Sequence, residues 1–450
     1  MDVYRARGEL TARRAAIANR RIRWALGKRA NVWGGAAELI CFAAARTSFF
    51  GGAVNPPFAR PLVVLALVAF RTFLWAAETP RPDADGFVPM FNGRDLTGWT
   101  NINCAPETWS VRDGKIYCTG KPVGGLRTER QYENFIVELE WRHLQRSGNS
   151  GFFAWGSPIN APGVPFLRGI EVQILDQGYA EDFEKKNGKK SESFTTHGDV
   201  FAIHGATMTY VGKTNGKRSF PTEDRSKPSP EWNHYRIVAN NGSLRLHVNG
   251  KEISGGDNAN YRKGYLALES EGAPVEFRNL RIKELPSTGA NASNTAPLDL
   301  GWRAIFNSVD LRGWRTNAAT AARWSVVGEK LVLKAEPADQ GGRGAALVTE
   351  AEFGDAEFIV DFQLPKAAVG AKGVDAALTF RGATIDLAGA EGGKFSRFTI
   401  TVRAGKIRVQ RDAQPATERA LAAGAPARGS LGLVATGAGG TFMNLHARGL

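Results

Sequence analysis

An internal repeat constrains this chain more than any other feature. Phe91-Asn92-Gly93-Arg94-Asp95-Leu96-Thr97-Gly98-Trp99 returns as Phe306-Asn307-Ser308-Val309-Asp310-Leu311-Arg312-Gly313-Trp314, 215 residues later. Trp109-Ser110-Val111 meets Trp324-Ser325-Val326 at the same offset, and Phe135-Ile136-Val137 meets Phe358-Ile359-Val360 at an offset of 223. Shared order with a slowly drifting offset marks a duplicated domain. A length of 450 residues leaves room for two or three domains.

Within the first copy the hydrophobic period is two. Val137, Leu139 and Trp141 fall on one face of a strand, and Glu138, Glu140 and Arg142 on the other. Leu244–Val248 alternates in the same way and runs into Asn249-Gly250, a strong hairpin signal. Val275–Ile282 is a further strand candidate. Turn signals recur every few residues and no long stretch has a period of 3.6. The expected class is all-β, with two antiparallel sandwiches in tandem.

The boundaries follow from composition. Residues 85–285 form the first copy, 286–297 a linker and 298–450 the second copy. The linker runs from Pro286-Ser287-Thr288-Gly289 to Thr295-Ala296-Pro297, as polar and proline-bounded as a solvated connection should be. Residues 1–77 hold 12 Lys/Arg against 3 Asp/Glu, so +9 of the total +14 sits there and only +5 remains on the rest. That balance points to no nucleic-acid partner for the folded part. Residues 61–77, PLVVLALVAFRTFLWAA, combine a basic flank, an apolar run and a small-residue end. They read as a secretory signal peptide spanning 54–77 and cleaved near Ala77, or, left uncleaved, as an anchor that would add a membrane partner. The Ala/Arg-rich stretch 1–53 reads as a start assigned too early.

An exported chain tolerates disulfides. Cys104 and Cys118 flank a hairpin centred on Asp113-Gly114, and a bridge between them is expected. Three Cys in all exclude a disulfide framework or a cysteine zinc cluster.

The candidate chemistry lies in Gly169-Ile170-Glu171-Val172-Gln173-Ile174-Leu175-Asp176. As a strand it sends Ile170, Val172 and Ile174 to the core and Glu171 and Gln173 to the opposite face, with Asp176 at its end. A carboxylate and an amide two apart suit either a solvated face or a sugar-binding cleft in which the carboxylate also moves protons. Asn149 and Ser150 lie in the small polar segment Ser147–Gly151. His197 lies in Thr196-His197-Gly198-Asp199, where it could shuttle a proton. Leu266–Gly272 places Glu269 and Glu271 on one face with Ala267. Acidic pairs of this kind hold hydroxyls, bind Ca²⁺ or face water. No other cofactor is suggested.

Taken in order, these segments resemble the 3-keto-disaccharide hydrolase family. The resemblance covers about 88–285 and rests on Phe91–Trp99, Trp109 with Asp113-Gly114, Gly148–Gly151, Glu171–Asp176, Glu231-Trp232-Asn233, Val248-Asn249-Gly250 and Val275–Asn279. It implies a concanavalin A-like jelly roll and hydrolysis of 3-keto-glycosides, with an oxidised oligosaccharide or glycoside as the partner. Many members carry Leu-Gln-Asp-His-Gly where this chain has Leu268-Glu269-Ser270-Glu271-Gly272. No role of that His carries over.

A ketone at C3 of a sugar acidifies the C2–H. Elimination at C1 and hydration can then follow, given a base, an oxyanion donor and an acid. The assignment expected from the sequence makes Glu171 the base. Gln173 and Asn149 become ligands to hydroxyl or enolate, with Ser150, Glu269 and Glu271 also touching substrate, and His197 or Asp176 becomes the acid. The competing class is a non-catalytic carbohydrate-binding module. The second copy, without a Glu/Gln pair near Arg381–Leu387 or an acidic pair near Leu431–Gly437, reads as degenerate.

Overall fold

The computed structural model describes residues 81–334, 346–365, 376–387, 389–390, 392–435 and 439–450. The expected leader and the extension before it lie outside the described residues.

The first copy is a two-sheet antiparallel sandwich. One sheet is built around Phe135–His143, flanked by Asn233–Asn240 and Val275–Glu284. The other runs Val200–Ile203, Gly169–Leu175, Asn149–Gly156, Tyr265–Ser270, Gly124–Thr128, Trp99–Ile102 through its centre and one edge. Alternation does what the sequence foretold. Val137, Leu139 and Trp141 meet Phe152, Ile170, Val172, Leu266 and Leu268 in one buried core. On the outward face of the first sheet, Glu138 is held by Arg236 and Arg281, and Glu140 by Arg278. These are cross-strand partners that the register brings opposite or nearly so.

The turns form where the sequence placed them. Asp113 and Gly114 adopt φ of 47° and 70° between Trp109–Arg112 and Lys115–Cys118. Asn249 and Gly250 adopt 45° and 92° between Ser243–Val248 and Lys251–Asp257. Two successive left-handed residues match the twist of the flanking strands, which is why Asn and Gly stand there.

The repeated motif builds the same loop twice. Asn92 Oδ1 accepts the Arg94 and Asp95 amides, and Asp95 Oδ1 accepts that of Thr97. Asn307 accepts those of Val309 and Asp310, and Asp310 that of Arg312. The strand pairings are also shared. Asn149–Gly156 lies between Gly169–Leu175 and Tyr265–Ser270; Ala376–Phe380 lies between Ala383–Asp386 and Gly429–Ala435. The second copy has its own core, including Phe358, Val360, Phe362, Leu431 and Leu433.

Three expectations need correction or refinement. A helix, Gln177–Asn187, follows the Glu171 strand directly. Its sequence, QGYAEDFEKKN, carries no apolar stripe, because the helix is mostly exposed and little of it reaches a core. Asp176 caps its start, and Gly188, at φ 68°, ends it. The linker, second, is mostly exposed as a solvated connection should be but is also tied to the first copy: Glu133 accepts from Ser287, Thr288 and Ala290, and the Gln131 amide donates to the Ala296 carbonyl at 2.7 Å. Third, Cys104 and Cys118 are not bridged; both are buried free thiols. The Cys118 sulfur accepts the Gly120 amide at 3.2 Å, while that of Cys104 faces the Pro122 carbonyl. Both are turned to the same loop, Gly120–Pro122. Burial pushes the Cys118 thiol up to about 11 and Cys104 higher still.

Candidate active site

The face of the Glu171 sheet turned away from the core is where the polar residues converge. Glu171 and Gln173 project from the central strand opposite Phe153 and Gly151. Glu269 projects from the next strand but one, opposite Gly125, and Glu271 bridges to Asn149. Gly151 lies between the carboxyls. A Cβ there would stand 3.0 Å from Glu269 Oε2 and 3.1 Å from Glu171 Oε1. The glycine of the Asn149–Gly151 segment is therefore required by two carboxyls closing over it.

The amides tie this cluster together. Asn149 Nδ2 donates to Glu271 Oε2. Gln173 Nε2 donates to Asn149 Oδ1 at 2.8 Å and to the Ser150 carbonyl at 3.2 Å. Gln173 Oε1 accepts from Arg218 at 3.2 Å, and Arg218 also reaches Asp199 at 3.3 Å. The Arg218 guanidinium lies over the Phe201 ring, 3.5 Å from its centre.

Three carboxyls withdrawn from water beside one cation cannot all ionise. Burial, then the neighbouring Glu271, pushes Glu171 up to about 8, against the pull of Arg218. Burial, then the charges of Glu171 and Glu271, raises Glu269 well above the ordinary carboxylate range. Glu271 is raised less, because Glu269, Arg218 and Asn149 favour its charge. Glu269 Oε2 has no hydrogen-bond partner among the described residues, which agrees with burial favouring the neutral form of that carboxyl. The group thus offers a carboxyl that ionises near neutrality and a neighbour that stays neutral.

Not every residue singled out in the sequence joins the cluster. Ser150 sits on the core side of its strand, and its hydroxyl donates to the Glu269 carbonyl at 2.8 Å, holding the scaffold. The Asp176 carboxylate accepts backbone amides from Ser147, Gly178 and Ser229 at 2.8, 3.0 and 2.9 Å. That ties two turns to the start of the helix and occupies the carboxylate fully. His197 is wholly buried beside Trp141, 6.4 Å between ring centres, where burial holds it down at about 4. It is on the sandwich side, with Asp224 and Asp176 as its charged neighbours. Neither His197 nor Asp176, the acids expected from the sequence, therefore joins the carboxyl cluster. As for Ca²⁺, no three His, Cys, Asp or Glu side chains among the described residues are grouped to hold a metal ion.

Arg218 and Asp199 were missed as site residues. Arg218 follows a turn, Asn215-Gly216-Lys217, and no periodicity marks it out. Asp199 stood beside the His that drew the eye, and its charge is met from Thr195 and Arg218.

Fold and site together define a jelly-roll hydrolase of the glycosidase type. The chain belongs to the family described as the 3-keto-alpha-glucoside-1,2-lyase-like domain, which it matches over residues 86–283 and again over 301–397. It is 22% identical over 254 residues to a 3-keto-disaccharide hydrolase of Bacteroides thetaiotaomicron, covering 45% of this chain and 80% of that one. Among solved structures, a candidate glycosyl hydrolase of Parabacteroides distasonis is 24% identical, with a TM-score of 0.37 over 45% of this chain and 96% of that one. A carbohydrate-binding module of Bacillus subtilis is 13% identical, with a TM-score of 0.28 over 42% and 96%.

Proposed function

We propose that the first copy cleaves 3-keto-glycosides by elimination and hydration. The observation that carries this reading is the pairing of Glu171, which ionises near neutrality, with Glu269, which stays protonated across Gly151. Ionised Glu171 takes the C2 proton. The electron pair moves toward the C3 ketone oxygen, where Arg218 and the Asn149 and Gln173 amides supply positive charge and donors. The C1–O bond then breaks, and the leaving oxygen takes the proton of Glu269. Water adds to the resulting enone: its hydroxyl bonds C1, C2 regains the proton held by Glu171, and the remaining proton restores Glu269.

A second reading rests on the same geometry. The two carboxyl oxygens that flank Gly151 are close enough to approach the roughly 5–5.5 Å spacing of retaining glycosidases. One comparison separates the two. Residues 78–450 are incubated with a 3-keto-glycoside and with its unoxidised parent. Release of the C1 substituent from the keto form alone supports elimination. Release from the parent moves the protein to direct displacement at C1. Saturable binding with no release from either makes it a carbohydrate-binding module.

The apolar run 61–77 supports export, with cleavage near Ala77. N-terminal sequencing of the natural protein should begin near Glu78. Recovery of residues 1–53 on the mature chain would overturn this.

A further inference from the structure

Among the described residues the second copy has no counterpart of Glu171 or Glu269, yet it grips one loop of the first. Asp361 lies on the strand Ala356–Gln363 with its side chain away from the second core, and it is wholly buried. Its oxygens accept from Arg397 Nε at 2.7 Å and Nη2 at 2.9 Å, from Asn444 Nδ2 at 2.7 Å, and from the Gly163 amide at 2.8 Å. Asn444 Nδ2 also reaches the carbonyls of Ala161 at 3.1 Å and Val164 at 3.0 Å, and Arg397 Nη2 that of Asn160 at 2.9 Å. One buried acid, one Arg and one Asn thus satisfy four backbone groups within five residues of the first copy. Gly163 completes the fit. It adopts φ +72°, and a Cβ there would stand 2.7 Å from Phe395 Cβ.

The other end of that loop reaches the site. Leu167 is buried against Ile102, Phe153 and Ala267, with Phe166 and Ile203 packed around them. Phe153 is the cross-strand partner of Glu171, and Ala267 lies two residues before Glu269 on the same face. Asn160 and Leu167 pair as a bridge, so the gripped segment and the packed one are two sides of a single turn. The Phe166 ring, partly buried over Leu167, stacks on His204 with 5.7 Å between centres.

We propose that the second copy is a positioning domain. Asp361, Arg397 and Asn444 fix loop 160–167 so that Phe166, seated over the buried Leu167, walls one end of the Glu171 face and contacts the part of the substrate beyond the oxidised sugar. The chemistry stays with the first copy, and the second sets how well a bulky leaving group is seated. As to substrate, this rests on the 3-keto-glycoside reading.

The test uses residues 78–450 and two variants outside the reacting cluster. Gly163→Ala drives a methyl group into Phe395 and displaces the loop. Asn444→Gly removes the amide at a position whose φ of 50° glycine adopts freely. Kinetics are measured on a methyl 3-keto-glucoside and on a 3-keto-disaccharide, together with amide hydrogen exchange. The expected result is a KM raised about tenfold or more for the disaccharide, with kcat within twofold and the methyl glycoside little changed. Exchange should quicken in 157–168 and stay constant in Phe135–His143 and Ala356–Gln363. Equal loss on both substrates, a fall in kcat without a change in KM, or unaltered exchange in the loop would overturn the proposal. If the parent protein turns over no 3-keto-glycoside, the functional reading fails, and the exchange pattern alone decides whether the second copy holds the loop.

Discussion

Glu138 and Asp361 occupy corresponding positions in the two copies, and their fates differ. Each sits on the outward face of the central strand of its sheet, with an Arg directly across or one residue aside. Glu138 shares Arg236 and Arg281, both more than a third exposed, on an open surface. Asp361 is buried and Arg397 partly buried against loop 160–164 of the first copy. The opposite sheets diverge in the reverse sense. The face that holds Glu171, Gln173 and Glu269 in the first copy carries Ala377, Thr379, Thr384, Asp386 and Val434 in the second. The two sandwiches share their central strand pairings. One gathers polar residues on one sheet, the proposed reaction site; the other buries polar residues on its other sheet, at the seam with the first copy. A sandwich tolerates both because its core uses only alternate residues, which leaves each outward face free to change.

The contrast can be broken most sharply at the carboxylates. Glu171→Gln should lower kcat/KM about 10³-fold with the fold intact, while Asp386→Asn, on the matching strand of the second copy, should leave it within twofold. Steady-state kinetics with circular dichroism as the folding check decides this, and a substantial effect of Asp386→Asn would undo the asymmetry. Glu269→Gln should cost about 10²-fold on an alkyl glycoside and far less on a nitrophenyl one, whose departure needs no proton.

The pH dependence should come next. Glu171 must be ionised to act, so kcat/KM should climb as pH rises through about 8 and fall only when Glu269 loses its proton. Stability runs the other way. Carboxyls raised above their ordinary 4.5 hold more protons folded than unfolded, so denaturation midpoints should fall as pH climbs from about 4.5 to 8. Glu269→Gln should flatten that slope. A slope unchanged in the variant would mean that Glu269 is not the buried acid.

The smallest effects belong to shared framework. Asn92→Ala and Asn307→Ala each remove side-chain bonds to two backbone amides of equivalent loops and should cost about 1 kcal/mol apiece. Markedly unequal losses would show that the repeated motif does different work in the two copies. Thiol titration of unfolded residues 78–450 without reductant should find both Cys104 and Cys118 free, and reductant should leave the melting temperature unchanged.

Much of this was legible beforehand, for local reasons. Period-two alternation placed Val137, Leu139 and Trp141 in the core. Asn249-Gly250 and Asp113-Gly114 announced their turns because few other residues accept left-handed backbone. Counting in twos put Glu171 with Gln173 and Glu269 with Glu271; that both pairs and Asn149 share one face came from the strand pairing. Ser150 was misplaced because it belongs to the other parity of its strand. Asp176 and His197 resemble catalytic groups by type alone, and only their partners reveal a cap and a buried ring. The helix Gln177–Asn187 escaped because an exposed helix lacks the apolar stripe that betrays one.

What the sequence by itself determined is the repeat, the sandwich and the direction in which each strand residue points, since these depend on neighbours a few residues apart. What only the tertiary structure decided is which distant residues share a charge. Glu171 and Glu269 meet 98 residues apart in sequence, Arg218 comes in from a turn, and Asp361 closes on Gly163 from the other copy. Proton affinity depends on burial and on the nearest charges in space, and no spacing along the chain encodes either.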